Sequence, residues 1–261
     1  MPFKYQPRAQ DALQKREAEL GGGTNGDPIF NRPVTEFKPQ AGENSIRLCP
    51  PTWSNPDHYG FPMHIHYGVG PDRAQYLCLE KHLGKPDPVT EKHDILLKTD
   101  KRAANKLRCT ERMAVWLIDL ADVGKGVQLW RMPITVDRDI RRYCKDGNGN
   151  IALFPDNPDE GYAIHFYKDG EKLETRYRDV RLDRRPSPLS ADPELKKQWL
   201  DFVLANPIPD MLNYYPYERI AAVLDSQLAS TESAAPVEPQ PPAATPTEPQ
   251  PQTDAYAHVP Y

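Results

Sequence analysis

Apolar and polar positions alternate along much of the chain in short runs broken by Gly and Pro. From Asn44 to Pro50, Ile46 and Leu48 alternate with polar neighbours, the period-two pattern of a half-buried strand. Met63 to Val69 repeats it, and Met113 to Leu120, the most apolar run, reads as a central strand. Val127 to Met132 follows across Gly124-Lys125-Gly126, a hairpin turn. A second hairpin joins Tyr162–Lys168 to Thr175–Leu182 through Asp169-Gly170. Val136 to Cys144, Pro193 to Leu204 and Tyr217 to Leu228 carry helical patterning. The prediction is a mainly β core with helical insertions, and a small barrel and a mixed sandwich both satisfy it.

The flanks differ in composition. Residues 8–20 are strong helix formers ended by Gly21-Gly22-Gly23, with few apolar positions, so they predict a helical arm that packs on a partner, a second copy or DNA. Residues 226–261 hold eight prolines and four acids but no Lys or Arg, a composition that cannot bury enough apolar surface to offset its ordering entropy. The chain therefore divides into an arm and linker (1–33), a core (34–224) and a disordered, acidic, Pro-rich tail (225–261). Without residues 225–261 the net charge rises from −4 to about +1, so any polyanion site must be a local patch. No uninterrupted apolar run reaches the ~18 residues of a membrane span, and Met1 to Tyr5 has no secretory apolar region. Cys49, Cys78, Cys109 and Cys144 are widely spaced, as expected of free thiols in a reducing cytoplasm.

Enzyme signatures are absent: no Walker A loop, no GxGxxG after a strand, no GxSxG elbow and no HExxH. The expectation is a non-catalytic protein. His64, His66, Cys78, His82 and His93 fall within thirty residues, but none of their close pairs has strong zinc spacing, so no metal ligand is assigned. Nucleic acid fits better. From Lys98 to Arg142 there are eleven Lys and Arg against six Asp and Glu, with aromatics interleaved. Cations can track phosphates while π-faces stack on unpaired bases. The candidates are Lys101, Arg102, Lys106, Arg108, Arg112, Trp130, Arg131, Arg138, Arg141, Arg142 and Tyr143, joined by Arg176, Tyr177 and Arg178. Trp116, inside an apolar run, is read as core.

Several segments, in order, resemble the single-stranded DNA-binding proteins of tailed phages that carry a zinc subdomain. They are Asn44 to Trp53, His66 to Asp72, Tyr76 to Leu79, Val115 to Asp119 and Leu129 to Pro133, flanked by Tyr5-Gln6-Pro7-Arg8 and Arg184 to Leu189. The resemblance implies a five-stranded OB-fold barrel that binds single-stranded DNA without sequence preference during replication, recombination and repair. It implies an arm for self-association along DNA, a tail that recruits replication or recombination proteins, and residence in the infected host's cytoplasm. That family holds zinc through a His, a Cys and a CPxC-like pair. His66 and Cys78 match the first two, but the pair falls on Asp87-Pro88-Val89-Thr90. No cofactor is therefore expected, and the lobe at about 60–97 is expected to fold by packing alone or stay mobile. The terminus, with Tyr256, Val259, Pro260 and Tyr261, is similar to tips that insert into partner pockets. An alternative is an OB-fold interaction module that has lost DNA binding.

Overall fold

The computed structural model describes residues 29–171 and 174–232. Its strands are β1 (Gly42–Leu48), β2 (Phe61–Val69), β3 (Ala74–Leu77), β4 (Thr110–Asp119), β5 (Val127–Pro133), β6 (Ala163–Asp169) and β7 (Arg176–Leu182). Its helices are α1 (Leu79–Leu83), α2 (Pro88–Thr99), α3 (Lys101–Leu107), α4 (Ile134–Tyr143), α5 (Pro193–Ala205) and α6 (Tyr217–Glu232). Strands β1, β2, β4, β5, β6 and β7 and helices α4, α5 and α6 occupy the segments where alternation and helical patterning predict them; β3 and helices α1 to α3 carry no such prediction.

The ten residues of β4 make it the hub of an antiparallel sheet. Its first half pairs with β2, from Phe61↔Ala114 to Ile65↔Thr110, and its end pairs with β1, from Leu48↔Leu117 to Ile46↔Asp119. β5 occupies the opposite edge of β4, while β6 and β7 continue outward from β1. The sheet is open: among the described residues no ladder joins β5 to β7, so closure into the expected five-stranded barrel is not shown. The free edge of β5 is instead covered by residues 35–37. Phe37 N–H donates to the Leu129 carbonyl and Leu129 N–H to the Thr35 carbonyl, each at 2.8 Å. Pairing an exposed edge in this way blocks it as a template for another chain.

Strand alternation sends the aromatic residues to opposite faces. Trp116 and Leu129 face one core, which α5 covers with Trp199 and Val203; Trp116 Nε1 donates to the Asn206 carbonyl at 2.9 Å. Trp130 and Met132 face the other, which α4 covers with Val136 and Ile140. Trp116 is thus a core residue, as its apolar surroundings predict.

The chain between β3 and β4 is helical and packed rather than a simple loop. It forms α1, α2 and α3, which pack with Val69 and Tyr76 against Ile220 and Leu224 of α6. Asp87 explains the local fold. Its Oδ1 accepts from the N–H groups of Val89 and Thr90, and Oδ2 accepts from Leu79 N–H at 2.8 Å. The Asp87-Pro88 pair is an N-cap followed by proline at the first helical position, and Asp192-Pro193 starts α5 in the same way. Helix α6 continues to Glu232, four residues past the predicted helix end at Leu228 and into the segment from residue 225 expected to be a disordered tail. Residues 1–28 and 233–261, which contain most of the expected arm and tail, lie outside the described residues. No described helix is long and apolar enough to cross a membrane.

Candidate nucleic-acid interface

At the open side of the sheet a groove of ≈ 430 Å³ runs between the Lys38-Pro39 segment, the ends of β2 and β5, the start of β4, and the β6–β7 hairpin. Tyr67, Trp130 and Tyr177 line it with Lys38, Arg112, Arg131 and Lys168. Each side chain arrives there by a specific local device. Gly68, at φ 71°, sits in a bulge where the β2–β3 register shifts between Tyr67 and Val69, which ends regular pairing just beyond Tyr67. Lys168 and Tyr177 are direct cross-strand partners in the β6–β7 hairpin, so both project from one face. Lys168 Nζ also donates to the Pro39 carbonyl at 3.0 Å, tying the hairpin to the groove's far wall.

Charge in the groove is unequally available. Arg131 is held by Glu36 at 2.8 Å and Gln75 at 2.7 Å. Arg112 stands near the Tyr177 phenol: burial pushes that phenol's pKa up, and the guanidinium opposes the shift. Lys38 is exposed and Arg112 half-buried. A floor of π-faces with cations around it can hold unstacked bases and their phosphates.

The sequence candidates divide among four places. Arg112, Trp130, Arg131 and Tyr177 meet in the groove. Trp130 is only 4% exposed and its ring stacks on Phe166 at 5.1 Å, so it is a wall of the groove and a core residue at once. Lys101, Arg102, Lys106 and Arg108 are exposed on and just after α3, and the chain leads from them directly into Arg112. Arg138, Arg141 and Arg142 line a different cavity, and Tyr143 is exposed at the end of α4. Arg176 and Arg178 are exposed on the strand face opposite Tyr177, where Arg178 lies over the Tyr167 ring at 4.3 Å. Lys38, Tyr67 and Lys168 are not among the sequence candidates; tertiary placement alone brings them into the groove. Tyr256, Val259, Pro260 and Tyr261 lie outside the described residues.

No family model matches the chain, and no curated protein matches it.

The second cavity, ≈ 710 Å³, lies against α4 and is lined by Arg138, Arg141, Arg142, Phe154 and His58 among others. Beneath it Asp137 is fully buried in the first turn of α4, where the helix dipole favours a carboxylate. It accepts from Tyr59 Oη at 2.7 Å and lies 2.9 Å from Arg141 Nε and 3.4 Å from His58 Nε2. Burial lowers the His58 pKa below 6.5, against the opposing pull of Asp137. A histidine kept neutral by the fold contributes stability that is fully present above its unfolded pKa of about 6.5 and is lost as pH falls from there through its lower folded pKa. Urea unfolding at about pH 7.5 and about pH 5 is expected to show a smaller acid-side loss for His58→Gln than for the parent. Equal losses would contradict it.

The histidines and thiols of the helical lobe also find distinct places. His82 Nε2 accepts from His64 N–H at 3.0 Å, and His93 lies beside Asp94 at 3.0 Å, so neither is drawn towards Cys78. Cys109 is. Its thiol, the Cys78 thiol and a ring nitrogen of His66 lie within 4.8 Å of one another. A hydrogen bond between the two thiols pulls Cys78 down and pushes Cys109 up, so the pair favours a thiolate at Cys78. Asp87 and Thr90 serve as the α2 cap and as a 3.7 Å neighbour of Cys78 Sγ.

Proposed function

We propose that the protein binds single-stranded DNA without sequence preference, on an open OB-type sheet, and that the groove holds the strand. The observation that carries this reading is the meeting of Tyr67 and Tyr177 with Lys38, Arg112 and Lys168 in one concave channel. Bases stack on the two phenol rings, and the cations take the flanking phosphates. From Arg112 the basic residues of and just after α3 extend the track: Arg108, Lys106, Arg102 and Lys101. Protection and presentation of single strands in phage replication, recombination and repair is the role this activity fits, with the tail tip and arm as the partner-facing segments.

The test is titration of a fluorescent oligo-dT across salt concentrations, read by anisotropy. Anisotropy is the better readout because Trp116, Trp130 and Trp199 are buried, so tryptophan quenching would be indirect. Each phosphate neutralised on a single strand contributes about −0.7 to the slope of log K against log salt. Lys38, Arg112 and Lys168 alone give about −2, and adding the four cations of the α3 segment gives about −5. A slope near zero, or no binding at micromolar protein, would refute the proposal.

A further inference from the structure

We propose that the cavity against α4 docks an acidic peptide segment of a partner protein, one that carries a bulky apolar side chain among its carboxylates. Arg138, Arg141, Arg142 and Lys145 stand at i, i+3, i+4 and i+7, so they form one stripe along α4 and just past its end. Val136 and Ile140, on the opposite side of the helix, go into the core. All four cations are exposed. Arg141 is engaged by Asp137, whereas Arg138, Arg142 and Lys145 make no ion pair among the described residues.

The facing wall is apolar. Ile151 and Phe154 are 49% and 59% exposed, with half-buried Leu153 between them. An ordered turn holds them there. The N–H groups of Ala152 and Leu153 donate to the Cys144 carbonyl at 2.8 and 3.1 Å, and an isolated bridge joins Lys145 to Ile151. Asp146 Oδ1 closes the turn by accepting from the N–H groups of Asn148 and Asn150. Large apolar side chains are thus fixed in solvent beside unpaired cations, which spares a ligand the cost of ordering them. Exposed apolar groups gathered at a cavity mark an interaction surface, and ≈ 710 Å³ leaves room for a bulky side chain.

Charge and hydrogen bonding select the occupant. Three unpaired cations suit carboxylates or phosphates, and the wall of Leu153 and Phe154 suits an apolar anchor. Asp57 and Asp156 also line the cavity, and their oxygens need donors. A peptide backbone supplies N–H groups at nearly every residue, whereas a phosphodiester backbone supplies none. An acidic peptide with an aromatic or aliphatic anchor meets all three demands. The cavity and the DNA groove share no lining residue, so each can be tested without the other.

The probe is a short fluoresceinated peptide of Asp and Glu around one Phe and one Leu, titrated with the full chain and read by anisotropy. Micromolar binding is expected. Phe154→Ser should weaken it at least about tenfold, as should Arg138→Glu combined with Arg142→Glu, the scale of losing an interface anchor. A probe with Ser in place of its Phe and Leu should lose about as much. The three substituted side chains are exposed, so both variants should keep the parent's thermal midpoint by circular dichroism. Phe154→Ser should leave oligo-dT affinity unchanged. Failure of the probe to bind would overturn the proposal, as would binding indifferent to Phe154→Ser. Displacement of the probe by oligo-dT, with oligo-dT affinity itself lost in the double arginine variant, would give the α4 face to DNA instead. Tighter binding of a peptide of residues 250–261 would make the tail the occupant and overturn the assignment to a partner.

Discussion

Combining Tyr67→Leu with Arg112→Glu is expected to weaken oligo-dT binding roughly 100-fold or more at about 0.15 M salt. A base stacked on an aromatic ring is worth on the order of 1–3 kcal/mol, and leucine keeps the apolar bulk of Tyr67 while removing the π-face. Replacing Arg112 by an acid removes one phosphate contact and adds repulsion, which also flattens the salt dependence by about 0.7 or more. Arg176→Ala with Arg178→Ala is the informative control. Both side chains leave β7 on the face opposite Tyr177, and Arg178 is engaged by Asp179 at 3.2 Å and by the Tyr167 ring. Their removal should change affinity less than about threefold, the scale of an exposed, already paired charge. If the β7 pair mattered more than Tyr67 and Arg112, DNA would lie on the outer face and the groove assignment would fail.

The second large effect is on stability. Arg47 is 1% exposed, and its guanidinium donates to the carbonyls of Pro155, Asn157 and Ser187, the last two at 2.7 and 2.9 Å. Burial lowers its pKa, with Cys49 and Asp156 opposing the shift. Gly161 packs directly on the guanidinium; a Cβ there would collide with it and with the Asn157 carbonyl. One side chain on β1 thus holds the 155–161 loop and the 187 segment to the sheet. Arg47→Met leaves three carbonyls without their donor and is expected to cost about 3–5 kcal/mol. For a domain of this size that lowers Tm by roughly 6–20 °C. Lysine should rescue little, because a point charge cannot span three acceptors. A loss below about 1 kcal/mol in urea titration would mean that water or loop movement replaces the fork. The folded fraction of the variant should bind DNA normally, since the groove lies on another part of the sheet.

Much of the secondary structure was legible because its signals are local. Alternation located β1, β2, β4 and β5; the Asp169-Gly170 turn marked the β6–β7 hairpin; helical patterning found α4, α5 and most of α6. The lobe helices were not foreseen. Asp87-Pro88 stands where the resemblance places a ligand pair, but Asp-Pro is also a helix start, and the structure uses it as one. The partition of aromatics and cations was also beyond reach from adjacency. Arg176, Tyr177 and Arg178 are neighbours in sequence, but a strand sends consecutive side chains to opposite faces, so the group splits.

The sequence by itself determined the strand content, the near-neutral core with a basic stretch, and the composition of the two flanks. Tertiary structure alone decided which residues meet. Lys38, Tyr67, Lys168 and Tyr177 come from four segments joined only by sheet register, and Cys109 reaches His66 and Cys78 only because α1 to α3 fold back to begin β4 beside β2. Local propensity acts over a few residues, whereas a site depends on pairings between distant strands, and those are settled by how the whole sheet buries its two faces.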